Sequence, residues 1–180
     1  MSEPPPLAGV IGWPIGHSLS PRLHGHWLKR YGITGYYVPI ALAPENFQAG
    51  LLSLPRLGFR GVNVTIPHKE AALALASEAT DLARESGAAN TLTFRPDGSI
   101  LADNTDGFGF IENLRHSTPG WNAAAGPALV LGSGGSARAV IAALLADLAR
   151  AEGLQGHFGP RTRVVPWAEA AATKGVGVDP

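Results

Sequence analysis

Short apolar runs along the chain alternate with stretches whose apolar positions recur at helical spacing. Residues 7–11 form an unbroken apolar run, the pattern of a strand buried on both faces. Ser20-Pro21 reads as an N-cap followed by a first-turn proline. The helix it opens is expected to turn Leu23, Trp27, Leu28 and Tyr31 inward and to stop at Gly32. Residues 36–40 are strand-like, and Pro39 places that strand at a sheet edge. Pro44 opens a second helix carrying Phe47, Leu51 and Leu52. Val62, Val64 and Ile66 alternate with Asn63 and Thr65, the period of a half-buried strand. Pro67 starts an alanine-rich helical stretch that runs, with a break, to about Ser86.

Residues 91–94 and 99–102 suit a hairpin around Pro96-Asp97-Gly98, and residues 106–114 suit a helix despite two glycines. Ser117-Thr118-Pro119-Gly120 is a cluster of turn residues and marks a boundary. Beyond it, Ala128-Leu129-Val130-Leu131 reads as a buried strand. That strand runs into Gly132-Ser133-Gly134-Gly135-Ser136-Ala137 and a long apolar helix to about Ala149. Strands alternating with helices on both sides of the boundary give an α/β class.

Composition narrows the function classes. The 180 residues hold no cysteine, which excludes disulfide frameworks, thiolate zinc sites and cysteine nucleophiles. Lys and Arg balance Asp and Glu at 14 each, which argues against a nucleic-acid or polybasic membrane surface. Residues 1–114 carry a balance of −2 and residues 115–180 one of +2, a sign that suits a phosphate-bearing ligand in the second part but a size too small to decide it. The first residues lack the basic and apolar regions of a signal peptide, and the apolar stretch 139–145 is too short to span a bilayer. A cytoplasmic globular protein is expected.

Gly132, Gly134 and Ala137 fit G-x-G-x-x-G/A between a strand and a helix. Small residues there let the backbone approach a pyrophosphate, while the helix N-terminus offers free N–H groups. The alternative is an ordinary tight strand–helix turn. The second half of the fingerprint, a following strand that ends in a ribose-reading residue, has no counterpart after Ala149. The next strand-like stretch is 163–167, interrupted by Pro166, where Arg161 and Arg163 are either phosphate contacts or solvated loop residues.

Three polar constellations carry candidate chemistry. In Asn63-Val64-Thr65-Ile66-Pro67-His68-Lys69, Asn63 and Thr65 share one strand face and Lys69 falls in the first turn of the next helix. A cation there opposes the macrodipole, so the position has no structural advantage for a lysine. Lys69 is either a proton-transfer group or a surface lysine. In Asp103-Asn104-Thr105-Asp106-Gly107, Asp106 is either the N-cap of the following helix or a carboxylate held near Lys69. In His17-Ser18-Leu19-Ser20-Pro21, capping explains Ser20 but not Ser18, and the two hydroxyls together suit a carboxylate at a helix start. His24 and His26, two apart on a helix, face different directions, and no histidine spacing suggests a metal site.

Five stretches together, in this order, resemble the shikimate dehydrogenase family. They are Gly12-Trp13-Pro14-Ile15-Gly16-His17-Ser18-Leu19-Ser20-Pro21; Gly61-Val62-Asn63-Val64-Thr65-Ile66-Pro67-His68-Lys69-Glu70; Gly87-Ala88-Ala89-Asn90-Thr91-Leu92; Asp103-Asn104-Thr105-Asp106-Gly107; and Gly132-Ser133-Gly134-Gly135-Ser136-Ala137-Arg138. The resemblance implies an N-terminal α/β substrate domain over residues 1–114 and an incomplete Rossmann-type dinucleotide-binding domain over 115–180. The implied reaction is the NADPH-dependent, reversible reduction of 3-dehydroshikimate to shikimate, in the pathway to chorismate and the aromatic amino acids. It implies that Ser18 and Ser20 bind the substrate carboxylate and that Thr65, Lys69, Asn90 and Asp106 hold the ring hydroxyls. Lys69 and Asp106 form the catalytic pair in that scheme, and Gly132, Ser133, Gly134, Gly135, Ser136 and Ala137 cradle the pyrophosphate of NADP. No metal is implied; a monomer or homodimer is.

The sequence departs from the family where a strand ending in Asn-Arg-Thr should follow the glycine-loop helix. A glutamine that contacts substrate and the closing helices of the family also have no counterpart. Two alternatives stand beside the enzyme: a non-catalytic shikimate-binding module, and a quinate/shikimate dehydrogenase using NAD.

Overall fold

The computed structural model describes residues 4–151. Arg161, Arg163 and the strand-like stretch 163–167 lie outside them. The architecture is mixed α/β. The strands are β1 (Leu7–Gly12), β2 (Tyr36–Ala41), β3 (Phe59–Val64), β4 (Glu78–Ala79), β5 (Thr91–Phe94) and β6 (Ile100–Asp103). The helices are α1 (Ser20–Arg30), α2 (Phe47–Ser53), α3 (Lys69–Leu75), α4 (Asp81–Ser86), α5 (Asp106–Ser117) and α6 (Gly135–Ala151). The sheet order is β2-β1-β3-β5-β6-β4. All neighbours are parallel except β3–β5 and β5–β6, so β5 alone runs against the rest. The carboxyl ends of β1, β3 and β6 therefore gather at one end of the sheet, beside the start of β5.

The apolar run of β1 sits between β2 and β3, and its last four residues are buried, as a parallel strand covered on both faces requires. In β3 the alternation holds: Val62 and Val64 enter the core with Ile11, Phe47, Leu51 and Leu92, while Asn63 faces the other way. β2, with Pro39, is an edge strand. The alanine-rich stretch breaks at residues 76–80, where β4 joins the sheet beyond β6. The hairpin turn places Gly98 at positive φ, and Gly32 ends α1 the same way.

Several expectations are corrected. α1 buries no residue; Leu23, Trp27 and Tyr31 are exposed, and among its predicted apolar contacts only Leu28 is half-buried. α1 rests on β2 instead through His24, whose ring stacks on Tyr37 at 4.0 Å. Leu52 and Ile66 are also exposed, because α2 turns one stripe inward and Ile66 lies past the end of β3. Ser20 is not the cap of α1 but its first residue; Leu19 holds the cap position without a side-chain hydrogen bond. Residues 128–131 form no strand, and Leu129 and Leu131 are exposed. A strand needs a neighbour to take its backbone hydrogen bonds, and the described residues provide none there.

α6 packs on α4 and α5. Gly107 makes that approach possible: a Cβ on it would stand 2.6 Å from the Ala139 carbonyl oxygen and 2.8 Å from the Ala143 Cβ. The Arg115 guanidinium closes the same contact on the buried Asp147 carboxylate. Gly107→Ala gains roughly 1 kcal/mol of helix propensity but meets backbone, so overpacking of about 1–3 kcal/mol decides the sign. Urea unfolding is expected to show a less stable Gly107→Ala protein; equal or higher stability would show that α5 and α6 do not approach this closely.

Candidate functional site

The site forms where the sheet's topology gathers strand ends. Trp13 N–H donates to the Ile66 carbonyl at 3.1 Å and Thr65 N–H to the Ile11 carbonyl at 2.9 Å, so the segments leaving β1 and β3 run side by side. Across the sheet, Asn63 pairs with Thr91, and Thr91 pairs with Asp103. Ser18 and Ser20, Thr65 and Lys69, Asn90, and Asp106 are thus all carried by segments at one end of the sheet. Ligands bind at this end of open α/β sheets.

Lys69 is the first residue of α3, as its spacing predicted. Its launching turn is anchored by His68, which is buried, stacks face to face on Phe47 at 4.3 Å, and brings Nε2 to 2.7 Å from the Leu42 carbonyl. The Lys69 ammonium donates to Asp106 Oδ2 and, at 3.1 Å, to Ser136 Oγ. The ion pair is partly shielded, with side chains 15% and 27% exposed. Asp106 Oδ1 accepts from Asn90 Nδ2 at 2.7 Å. The carboxylate is therefore held on both oxygens by different segments, the geometry of a positioned proton-transfer pair.

Asp106 is not the cap of α5 but its first residue. Thr105 holds the cap position without a side-chain hydrogen bond, and Asn104, just before it, takes the Asp106 N–H on its Oδ1 at 3.1 Å. This frees the Asp106 carboxylate to meet Lys69. Asn104 is buried and donates Nδ2 to Ser86 Oγ and to the Ala88 carbonyl, each at 2.9 Å. Sequence reading missed this anchor; its one signal was an asparagine two residues before the carboxylate, the spacing of an Asx turn. At the α1 end the roles of the serines reverse. Ser18 Oγ accepts the Ser20 N–H at 3.3 Å, so Ser18 has the local structural explanation and the Ser20 hydroxyl has no capping duty.

The glycine segment lies against the same pair. A Cβ on Gly135 would stand 2.9 Å from the Ala88 Cβ and 3.3 Å from the Lys69 Cβ. Arg138 holds the segment from two sides, through Glu70 at 3.0 Å and the Ser133 carbonyl at 3.0 Å. Gly132, Ser133 and Gly134 are exposed, and nothing lies within 4 Å of where a Cβ on Gly134 would stand. With the unbonded first N–H groups of α6, that open shelf fits a pyrophosphate. Ala137 is half-buried beside it. Among the described residues no cluster of His, Asp or Glu could hold a metal ion, and no helix is long and apolar enough to cross a membrane.

Residues 10–92 match the family model described as the shikimate dehydrogenase substrate binding domain. The NADP(+) shikimate dehydrogenase of Jannaschia sp. (strain CCS1) is 56% identical over 173 residues, covering 90% of this chain and 62% of the relative. Over these residues the chain is similar to the shikimate dehydrogenase family. Shikimate dehydrogenase from Aquifex aeolicus superposes with a TM-score of 0.74 at 36% identity, over 79% of this chain and 53% of that one. Shikimate 5-dehydrogenase from Thermus thermophilus, solved with NADP(H) and shikimate, gives 0.69 at 40% identity, over 83% and 53%. The chain spans about three fifths of the length of the curated shikimate dehydrogenases it matches, 62% for the first two.

Asn104 supplies this candidate site with its rigid floor. Asn104→Ala takes one donor from Ser86 Oγ and from the Ala88 carbonyl, which keep their bond to each other, and removes the acceptor of the Asp106 N–H, a loss of about 1–3 kcal/mol. Denaturant unfolding is expected to show destabilisation within or above that range. Unchanged stability would show that the 103–106 loop is held by something else.

Proposed function

We propose that the chain is the substrate-binding and proton-transfer part of an NADP-dependent shikimate dehydrogenase, reducing 3-dehydroshikimate to shikimate and the reverse. The observation that carries the reading is the Lys69–Asp106 pair, braced by Asn90 at the carboxyl end of the sheet. The match of residues 10–92 to the substrate-binding-domain model and the similarity to relatives named NADP(+) shikimate dehydrogenase support it. Residues 1–114 form the substrate unit and residues 115–180 the cofactor part in this reading. Cytoplasmic residence and a monomeric or homodimeric state go with it.

Ser18 and Ser20 at the α1 start receive the substrate carboxylate. Thr65, Asn90 and Asp106 take ring hydroxyls. Lys69 gives a proton to the carbonyl oxygen as it becomes a hydroxyl and takes one from the hydroxyl in the reverse direction. Asp106 keeps the ammonium aimed at that oxygen, and its own second oxygen is fixed by Asn90. NADPH supplies the hydride when bound. Gly132, Ser133, Gly134, Gly135, Ser136 and Ala137 hold its pyrophosphate. Ser136 also touches Lys69, so the cofactor shelf and the proton donor share one hydrogen bond.

The second reading, a shikimate-binding module without turnover, draws on the unpaired segment 128–131. NADPH absorbance with 3-dehydroshikimate and calorimetric titration with shikimate separate the two. Turnover supports the enzyme, binding alone supports the module, and neither refutes both. In a turning-over protein, Lys69→Ala is expected to cut the rate by about 10²-fold or more with the fold intact. Near-normal turnover would remove Lys69 from the mechanism.

A further inference from the structure

A second line of polar side chains runs away from the Lys69–Asp106 pair, through β5 and β3 to β2. The Tyr37 hydroxyl donates to Asn63 Oδ1 at 2.7 Å. Asn63 Nδ2 donates to Thr91 Oγ1 at 3.1 Å and to the Asn90 carbonyl at 3.3 Å. Thr91 Oγ1 donates to Asn90 Oδ1 at 2.9 Å. Thr105 N–H adds a second donor to that oxygen at 3.1 Å. Asn90 Nδ2 then donates to Asp106 Oδ1. Tyr37 hydrogen-bonds none of the groups assigned to substrate; it reaches the Asn90 backbone through Asn63 and the Asn90 side chain through Asn63 and Thr91.

Each link has a forced direction. A hydroxyl has one proton, a carboxamide has one accepting and one donating end, and an ionised carboxylate only accepts. The Asn90 carbonyl can only accept, so Asn63 must turn its Nδ2 toward β5 and its Oδ1 toward Tyr37. An accepting Thr91 then has its proton free for Asn90 Oδ1, which the Thr105 N–H also reaches, and Asn90 presents its nitrogen to Asp106 Oδ1 and Thr105 Oγ1. We infer that Tyr37 and Asn63 are positioning residues that, together with Thr105, hold the Asn90 carboxamide toward Asp106.

Two features suit Tyr37 to this role. Its ring is clamped face to face on His24 at 4.0 Å, with planes 4° apart. Burial pushes its phenol up to about 12, so it stays protonated and donating across the neutral range. His24 belongs to α1, the helix whose start carries Ser18 and Ser20, so both ends of the site lean on one packed contact.

The test follows the Asn90 side-chain NH2 by ¹⁵N NMR in Tyr37→Phe, together with shikimate titration; the titration arm rests on the functional reading above. The expected result is a shifted Asn90 Nδ2 resonance and shikimate binding weakened about fivefold, the worth of one hydrogen bond. In an Asn90→Ala background, Tyr37→Phe is expected to cost no further affinity, because the two residues act on one line. An unmoved Asn90 resonance, or equal losses with and without Asn90, overturns the inference and leaves Tyr37 a packing residue. Asn63→Asp is the second variant: its carboxylate attracts the Thr91 proton away from Asn90, so the same resonance must move. If the unaltered protein binds no shikimate, the functional reading fails while the resonance still decides the positioning role.

Discussion

The ion pair between Lys69 and Asp106 joins parts of the chain 37 positions apart, and the surrounding structure is arranged to hold it. A half-shielded pair of opposite charges is worth little if its partners can swing into water. Here they cannot swing freely. Lys69 is set by the turn that His68 locks against Phe47 and Leu42, and Asp106 by the buried Asn104 that takes its N–H. Asn90, at the junction of β3, β5 and β6, occupies the second carboxylate oxygen. The site is therefore a property of three strand ends and two helix starts, none of which holds it alone.

The glycine-bearing segment is built into the same arrangement. Gly135 fits against Lys69 and Ala88 where a larger residue would collide, Gly107 lets α6 reach α5, and Arg138 ties α6 to Glu70. The loop proposed to take a pyrophosphate thus ends within a hydrogen bond of the lysine. In the proposed function that proximity brings proton and hydride chemistry to one location.

Much of this was legible in the residues. The run of residues 7–11 and the alternation around Val62 and Val64 gave the central strands, because burial on two faces or one leaves a direct pattern. Lys69 stood out because a cation at a helix start has no structural reason to be there. Asp106 was ambiguous because asparagine, threonine and aspartate can each cap a helix; the placing of Asn104 depends on Ser86 and Ala88, 18 and 16 positions away. The outward face of α1 and the unpaired segment 128–131 were misjudged for a related reason. Periodicity says which residues share a face, but not whether anything lies against it. The line from Tyr37 to Asn90 was invisible, since its links join β2, β3 and β5 through cross-strand neighbours rather than through sequence spacing.

The central claim, that these strand ends form one shikimate site around Lys69 and Asp106, is tested most directly by mapping shikimate-induced amide shifts over the full chain by NMR. The account predicts saturable shifts shared by Ser18, Ser20, Thr65, Lys69, Asn90 and Asp106 with one common dissociation constant. No saturable shift, or shifts centred away from the Lys69–Asp106 pair, would contradict it.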